Sequence, residues 1–105
     1  MKNINLTSQE FETMLKSNKD AILLDVRTAE EFISARLPNS VLIDFYKEDF
    51  HSKIAELDKS KTYFIYCRSG SRSFQTCLFM LNEGFREVYN LSDGIIDWHG
   101  EIVRG

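Results

Sequence analysis

The chain has 105 residues, 43% of them hydrophobic and 28% charged, with a formal charge of −3. That length suits a single domain spanning residues 1–105, and a chain of this size buries about two-thirds of its unfolded surface, enough for one core. The acidic balance supplies no overall field to draw the chain to nucleic acid or anionic lipid, and no apolar run approaches the roughly 20 residues that a membrane helix needs.

The predicted elements alternate. The polar start, MKNINLTSQEF, has no apolar signal core, and residues 4–6 predict a short edge strand. Thr7 then caps a helix, with Glu10 three residues on to complete a capping box and Phe11, Met14 and Leu15 recurring at helical spacing. AILLDV, residues 21–26, has the length and composition of a buried strand. Thr28 and Glu31 repeat the capping logic for a brief helix that Pro38 is expected to end. Residues 40–45 predict a third strand, and residues 49–57 a helix with Phe50, Ile54 and Leu57 on one face. TYFIYC, residues 62–67, is the most apolar strand and belongs at the centre. The helix after it, SRSFQTCLFMLNEG from residue 71, stops at Gly84. EVYNL, residues 87–91, is the last strand, and DGIIDW predicts a final helical turn. This rhythm implies an α/β fold, a central parallel five-stranded sheet with helices on both faces. Ligands of such sheets bind outside the carboxyl ends of strands, and Cys67 stands there, where the central strand ends.

The segment CRSGSRS has the chemistry of an anion cradle. Gly70 lets the chain curl tightly, so that successive amide N–H groups turn inward. The following helix aims its N-terminus at the same point, and Arg68 and Arg72 add full charges. Ser69, Ser71 and Ser73 offer hydroxyls and little bulk. A free thiol titrates near about 8.5, and helix N-termini or cationic neighbours lower it to roughly 3.5–7.5. Cys67 is therefore expected as a thiolate nucleophile, although a lone cysteine is more often a small core hydrophobe.

With these residues in view, the chain resembles the single-domain rhodanese-like sulfurtransferases. The likeness covers nearly the whole chain: TYFIYCRSGSRS is similar to the family's active loop, ILLDVRTAEEF to its Asp-Val-Arg strand end and helix, and GFREVYNLSDGIIDW to its closing segment. Departures lie at Ala35 and Arg36, where the family has Gly-His, at Asn39, where it has glycine, and at Asp93, where it has the first of two glycines. Asparagine tolerates left-handed angles, so the turn at Asn39 survives. The resemblance implies that Cys67 takes a sulfane sulfur from thiosulfate or a polysulfide and passes it, as a persulfide, to a thiol or cyanide acceptor. It implies that the loop amides of Arg68, Ser69, Gly70, Ser71 and Arg72 cradle that sulfur, and that the two guanidiniums draw an anionic donor. Asp25 and Arg27 are implied as a supporting pair under the loop, the aspartate accepting from loop amides or an arginine. No metal or organic cofactor is implied.

Two other functions stay open within the resemblance. One is a sulfur carrier or binding module active only with a protein partner, which includes a protein acceptor. The other is a phosphatase or arsenate reductase, disfavoured because their loops hold one residue more than the four between Cys67 and Arg72. The mercaptopyruvate branch lacks the two arginines.

The remaining candidates have plainer readings. Cys77 lies ten positions after Cys67; that stretch, mostly helix, spans roughly 15 Å, beyond disulfide reach, so core packing beside Leu78 and Leu81 is expected. His51 and His99 have no partner at metal-ligand spacing and are expected at the surface. Trp98 packs, and Phe45, Tyr46 and Phe50 are expected in the core. Two cysteines are too few for a disulfide framework and imply reduced thiols in a cytoplasmic protein.

Overall fold

The computed structural model describes residues 3–105. Strand β4, Thr62–Tyr66, sends Tyr63, Ile65 and the following Cys67 to one face and Phe64 and Tyr66 to the other, the period of two that an extended chain imposes. Both sets are buried, so β4 is central. It pairs in parallel with β2, Ile22–Asp25, and β5, Glu87–Leu91. Short strands β1, Asn5–Leu6, and β3, Val41–Leu42, close the edges, giving the order β1-β5-β4-β2-β3.

Helices cover both faces, as the alternation of elements predicts. Helix α1, Ser8–Ser17, sets Phe11 edge-on against Phe64, with ring centroids 5.3 Å apart, among Leu6, Tyr89 and Leu91. On the other face, α3, Phe50–Ala55, supplies Phe50 and Ile54, and α4, Ser71–Asn82, supplies Cys77 and Met80 against Leu24, Val26, Ile65 and Val88. Both capping boxes form: Thr7 with Glu10 opens α1, and Thr28 with Glu31 opens α2, Ala29–Ser34. The chain leaves α4 at Gly84, where the Phe85 amide donates to the Met80 carbonyl, and Ile95–Asp97 forms the last, 3-10, turn.

Four expectations need correction. Strand β3 is two residues long, because Asp44 accepts from the Tyr46 amide and folds the chain into a turn. Helix α2 ends before Pro38 acts on it: Ala35 is already extended, its carbonyl held by Arg27, and Arg36 pairs antiparallel with Val103. Those two contacts occupy the place of the family's Gly-His. Leu78 and Leu81 face outward on α4, since the helix turns Ser73, Thr76, Cys77 and Met80 inward. Of the three expected core aromatics, Phe50 is buried and Phe45 half-buried, while Tyr46 is 67% exposed. Cys77 is core as expected, and burial pushes its thiol up. His51 and His99 are exposed, Trp98 packs edge-on to Phe11, and Asn39 sits at φ 64.

A buried polar hub ties the ends of the central strands. The Tyr66 hydroxyl donates to Asp25 Oδ2 at 2.7 Å and accepts from the Leu37 amide at 3.1 Å. Burial and the neighbouring Asp25 carboxylate push that hydroxyl well above its ordinary range, so it stays a donor. Tyr66→Phe leaves a buried carboxylate oxygen and a buried amide each short of a partner, at a cost of about 1–3 kcal/mol. The urea midpoint of the variant is expected to fall at unchanged slope; a midpoint equal to wild type would show that the hub contributes no stability.

Candidate active site

Cys67 follows β4 at its carboxyl end, and four residues later the chain re-enters as α4. Two glycines allow that return. Gly70 lies at φ 97, and a Cβ on it would meet the Ser92 carbonyl oxygen at 2.0 Å. Gly94 lies at φ 74, and a Cβ there would meet the Arg68 carbonyl oxygen at 2.0 Å. The active loop and the turn after β5 therefore touch backbone to backbone, with no room for a side chain on either.

The close approach sorts the peptide groups of the loop. Its carbonyls point away from the sulfur: Cys67 O accepts from the Ile95 amide at 3.0 Å, Arg68 O from the Ile96 amide at 3.1 Å, and Gly70 O from Asn90 Nδ2 at 3.2 Å. The N–H groups point toward it. Gly70 N donates to Cys67 Sγ at 3.1 Å, Ser73 N at 3.4 Å and Ser73 Oγ at 3.3 Å. Gly70 is the N-cap of α4, so the Ser73 amide belongs to the first turn, where helix N–H groups have no intrahelical acceptor. The sulfur takes that role and sits at the positive end of the helix.

Burial and hydrogen bonding act in opposite directions on this thiol. Cys67 is 1% exposed. That burial pushes the thiol up, but the Ser73 hydroxyl, the Ser73 amide, the Gly70 amide and the Ser69 amide together outweigh it, and Cys67 titrates below its ordinary value.

The other predicted residues take distinct places. Gly70 and Ser69 supply amides to the sulfur, whereas the Ser69 and Ser71 side chains are exposed. Ser73, beyond the predicted cradle at residues 68–72, makes two of the contacts; its place as the third helical residue after Gly70 is the signal that would have found it. Asp25 accepts from Arg27 and from Tyr66 rather than from loop amides. Arg68 is exposed, and beside it lies an open depression of about 390 Å³ lined by Arg27, Glu30, Ala35, Ile95 and Ile96 among others. A larger hollow of about 560 Å³ lies at the opposite end of the sheet, near Ala21 and Thr62, and has no cysteine in its lining.

Arg72 does not reach out as a free cation. Its guanidinium holds Glu31 at two points, 3.0 and 3.1 Å, and lies 5.6 Å from the centre of the Tyr46 ring. The Arg72 hydrogen bond, set against partial burial, pulls the Glu31 carboxyl down to about 2 from its ordinary 4.5. A depressed acid stabilises the fold above its unfolded pKa, so this contribution is complete above about pH 4.5 and fades as pH falls toward 2.

A sequence profile of the family described as "Rhodanese-like domain" matches residues 7–101. A sulfurtransferase of Allochromatium vinosum is 32% identical over 97 residues, which span 90% of this chain and 89% of that one. A tRNA uridine(34) hydroxylase of Cytophaga hutchinsonii is 39% identical over 97 residues, 90% of this chain but 31% of that longer protein. Among solved structures, a rhodanese-like domain protein from Staphylococcus aureus superposes with a TM-score of 0.81 at 25% identity, over 96% of this chain and 97% of that one. The chain belongs to the rhodanese-like domain family, and this membership supports sulfur transfer as its general activity.

Ser73→Ala removes the hydroxyl donor that works against burial, so the Cys67 thiol is expected to titrate higher than in wild type. The rate of iodoacetamide alkylation against pH measures the shift; midpoints that coincide in the variant and wild type would show that the hydroxyl does not stabilise the thiolate.

Proposed function

We propose that the protein is a thiosulfate or polysulfide sulfurtransferase that works through a persulfide on Cys67. The observation that carries this reading is the set of N–H and O–H donors that converge on Cys67 Sγ at the carboxyl end of the central strand. In the first half-reaction the thiolate attacks the outer sulfur of thiosulfate. The donor's S–S bond breaks, sulfite leaves with the electron pair, and Cys67 keeps the sulfur as an anionic persulfide. In the second, cyanide or an acceptor thiolate attacks that outer sulfur and restores the Cys67 thiolate, a ping-pong sequence. Donors already aimed at the sulfur cost no reorganisation as charge moves along the S–S axis.

Ser69, Gly70 and Ser73 hold the anion, with Arg68, Ser71 and Arg72 completing the rim, and Asp25 with Arg27 supports the loop from beneath. The chemistry needs a reduced thiol, which suits the cytoplasm; among the described residues no helix is long and apolar enough to cross a membrane. The 1% exposure of Cys67 beside a 61% exposed Ile96 favours one second reading, a sulfur carrier whose acceptor is a protein that docks on that rim.

Intact-mass spectrometry after incubation with thiosulfate or polysulfide tests the proposal. A gain of one sulfur on wild type, lost in Cys67→Ser and reversed by cyanide, is expected. Loading that only a protein thiol can discharge would favour the carrier, and no loading from any donor would refute transfer through Cys67.

A further inference from the structure

The charges around the mouth of the site cancel in pairs. Arg27 and Asp25 are joined at 2.6 Å, and both side chains are almost fully covered. Arg72 and Glu31 are joined at 3.0 Å with side chains 18% and 27% exposed. Arg68, which makes no ion pair among the described residues, shares its depression with Glu30 and with the Glu31 that holds Arg72. Three guanidiniums thus stand against three carboxylates, in a chain whose net charge is already −3. A dianion approaching such a mouth meets little net attraction. Ala35, Ile95 and Ile96 make much of the remaining wall apolar, and Ile96 is 61% exposed. That surface suits a donor with a hydrocarbon body better than a small inorganic ion.

We infer that Glu31 determines which donors the site accepts: by holding Arg72 at two points it withdraws that cation from the incoming molecule, so the site takes an organic persulfide, R–S–SH, in preference to dianionic thiosulfate. The inference rests on the Cys67 persulfide reading and names the donor class within it. In the step, the Cys67 thiolate attacks the terminal sulfur of R–S–SH and a new S–S bond forms. The bond between that sulfur and R–S breaks, R–S⁻ departs with the electron pair, and the transferred sulfur keeps its proton on Cys67. The body R lies along Ile95 and Ile96 while Arg68 faces the departing thiolate. Glu31 is also the capping residue of α2, accepting from the Thr28 amide at 3.0 Å, and glutamine fills that role as well as glutamate does. Glu31→Gln therefore keeps the cap while it releases the charge of Arg72.

The test follows Cys67 loading by quenched intact mass against concentration of two donors, thiosulfate and the persulfide of 2-mercaptoethanol. Wild type is expected to load more efficiently from the persulfide. In Glu31→Gln the ratio of loading efficiencies should move about tenfold toward thiosulfate, mainly through tighter thiosulfate binding, since an uncompensated cation at the mouth attracts an anion. A strut would behave differently: both donors would lose together and the ratio would stay fixed, which overturns the inference. Wild type gives a second reading that needs no variant. Its thiosulfate loading efficiency should change less than about twofold between low and physiological salt, and a steep fall would reveal a free cationic field and also overturn it. Loading from both donors with a ratio indifferent to residue 31 defeats this inference alone, whereas loading from neither defeats the persulfide reading beneath it.

Discussion

The structure depends on a contest at one atom. Cys67 Sγ is shut away from water, which favours the neutral thiol, and four hydrogen-bond donors of the following loop and helix favour the thiolate. The donors prevail because none of them has a better acceptor. Helix α4 begins so close to the end of β4 that the Ser73 amide, which no carbonyl of its own helix can satisfy, lies within reach of the sulfur. Moving the start of the helix by one residue would turn a different set of groups inward.

That arrangement is imposed from outside the loop. Gly70 and Gly94 let two turns meet at backbone distance, and the contacts formed there consume the loop carbonyls. With the Cys67, Arg68 and Gly70 carbonyls engaged on the far side, the loop turns N–H edges toward the sulfur. Beneath, Tyr66 points to the opposite face of the sheet from Cys67 and fastens β4 to Asp25 and to Leu37. Adjacent residues at the end of one strand thus serve separate needs, the sulfur facing the loop and the hydroxyl holding the frame that fixes where the loop begins. The ion pairs at the rim extend the same frame. Arg72 links α4 to α2, and α2 is held in turn through Arg27 and the Ala35 carbonyl.

Much of this was legible in the residues. The apolar run before Cys67 and the turn chemistry after it marked a strand end and a helix start, and both capping boxes set helix starts correctly, because each of these signals is local. Asn39 could be read as a left-handed position because it stands where the family has glycine and asparagine tolerates such angles. Contacts between distant segments were not legible. The two arginines of the loop read as equivalent cations, and only the fold brings Glu31 onto Arg72 while leaving Arg68 exposed. The antiparallel contact of Arg36 with Val103 joins segments far apart in the chain, which local periodicity does not connect. Leu78 and Leu81 misled because α4 is apolar beyond the stripe it buries, and facing could not be settled without the sheet beneath it. The helix start at Ser71 was legible and so was the Ser73 hydroxyl, but the expected cradle ends at Arg72, one residue short of the Ser73 amide, because a loop motif does not show which helical N–H turns toward the sulfur.

The central claim is that donors from the backbone and from Ser73 hold Cys67 as a thiolate despite its burial. The most direct measurement is a thiolate absorbance titration of the protein, taken as the difference between wild type and Cys67→Ser so that Cys77 and the tyrosines cancel. The account predicts a single midpoint below the free-thiol value of about 8.5. A midpoint at or above that value would show that burial prevails over the donors and would contradict the account.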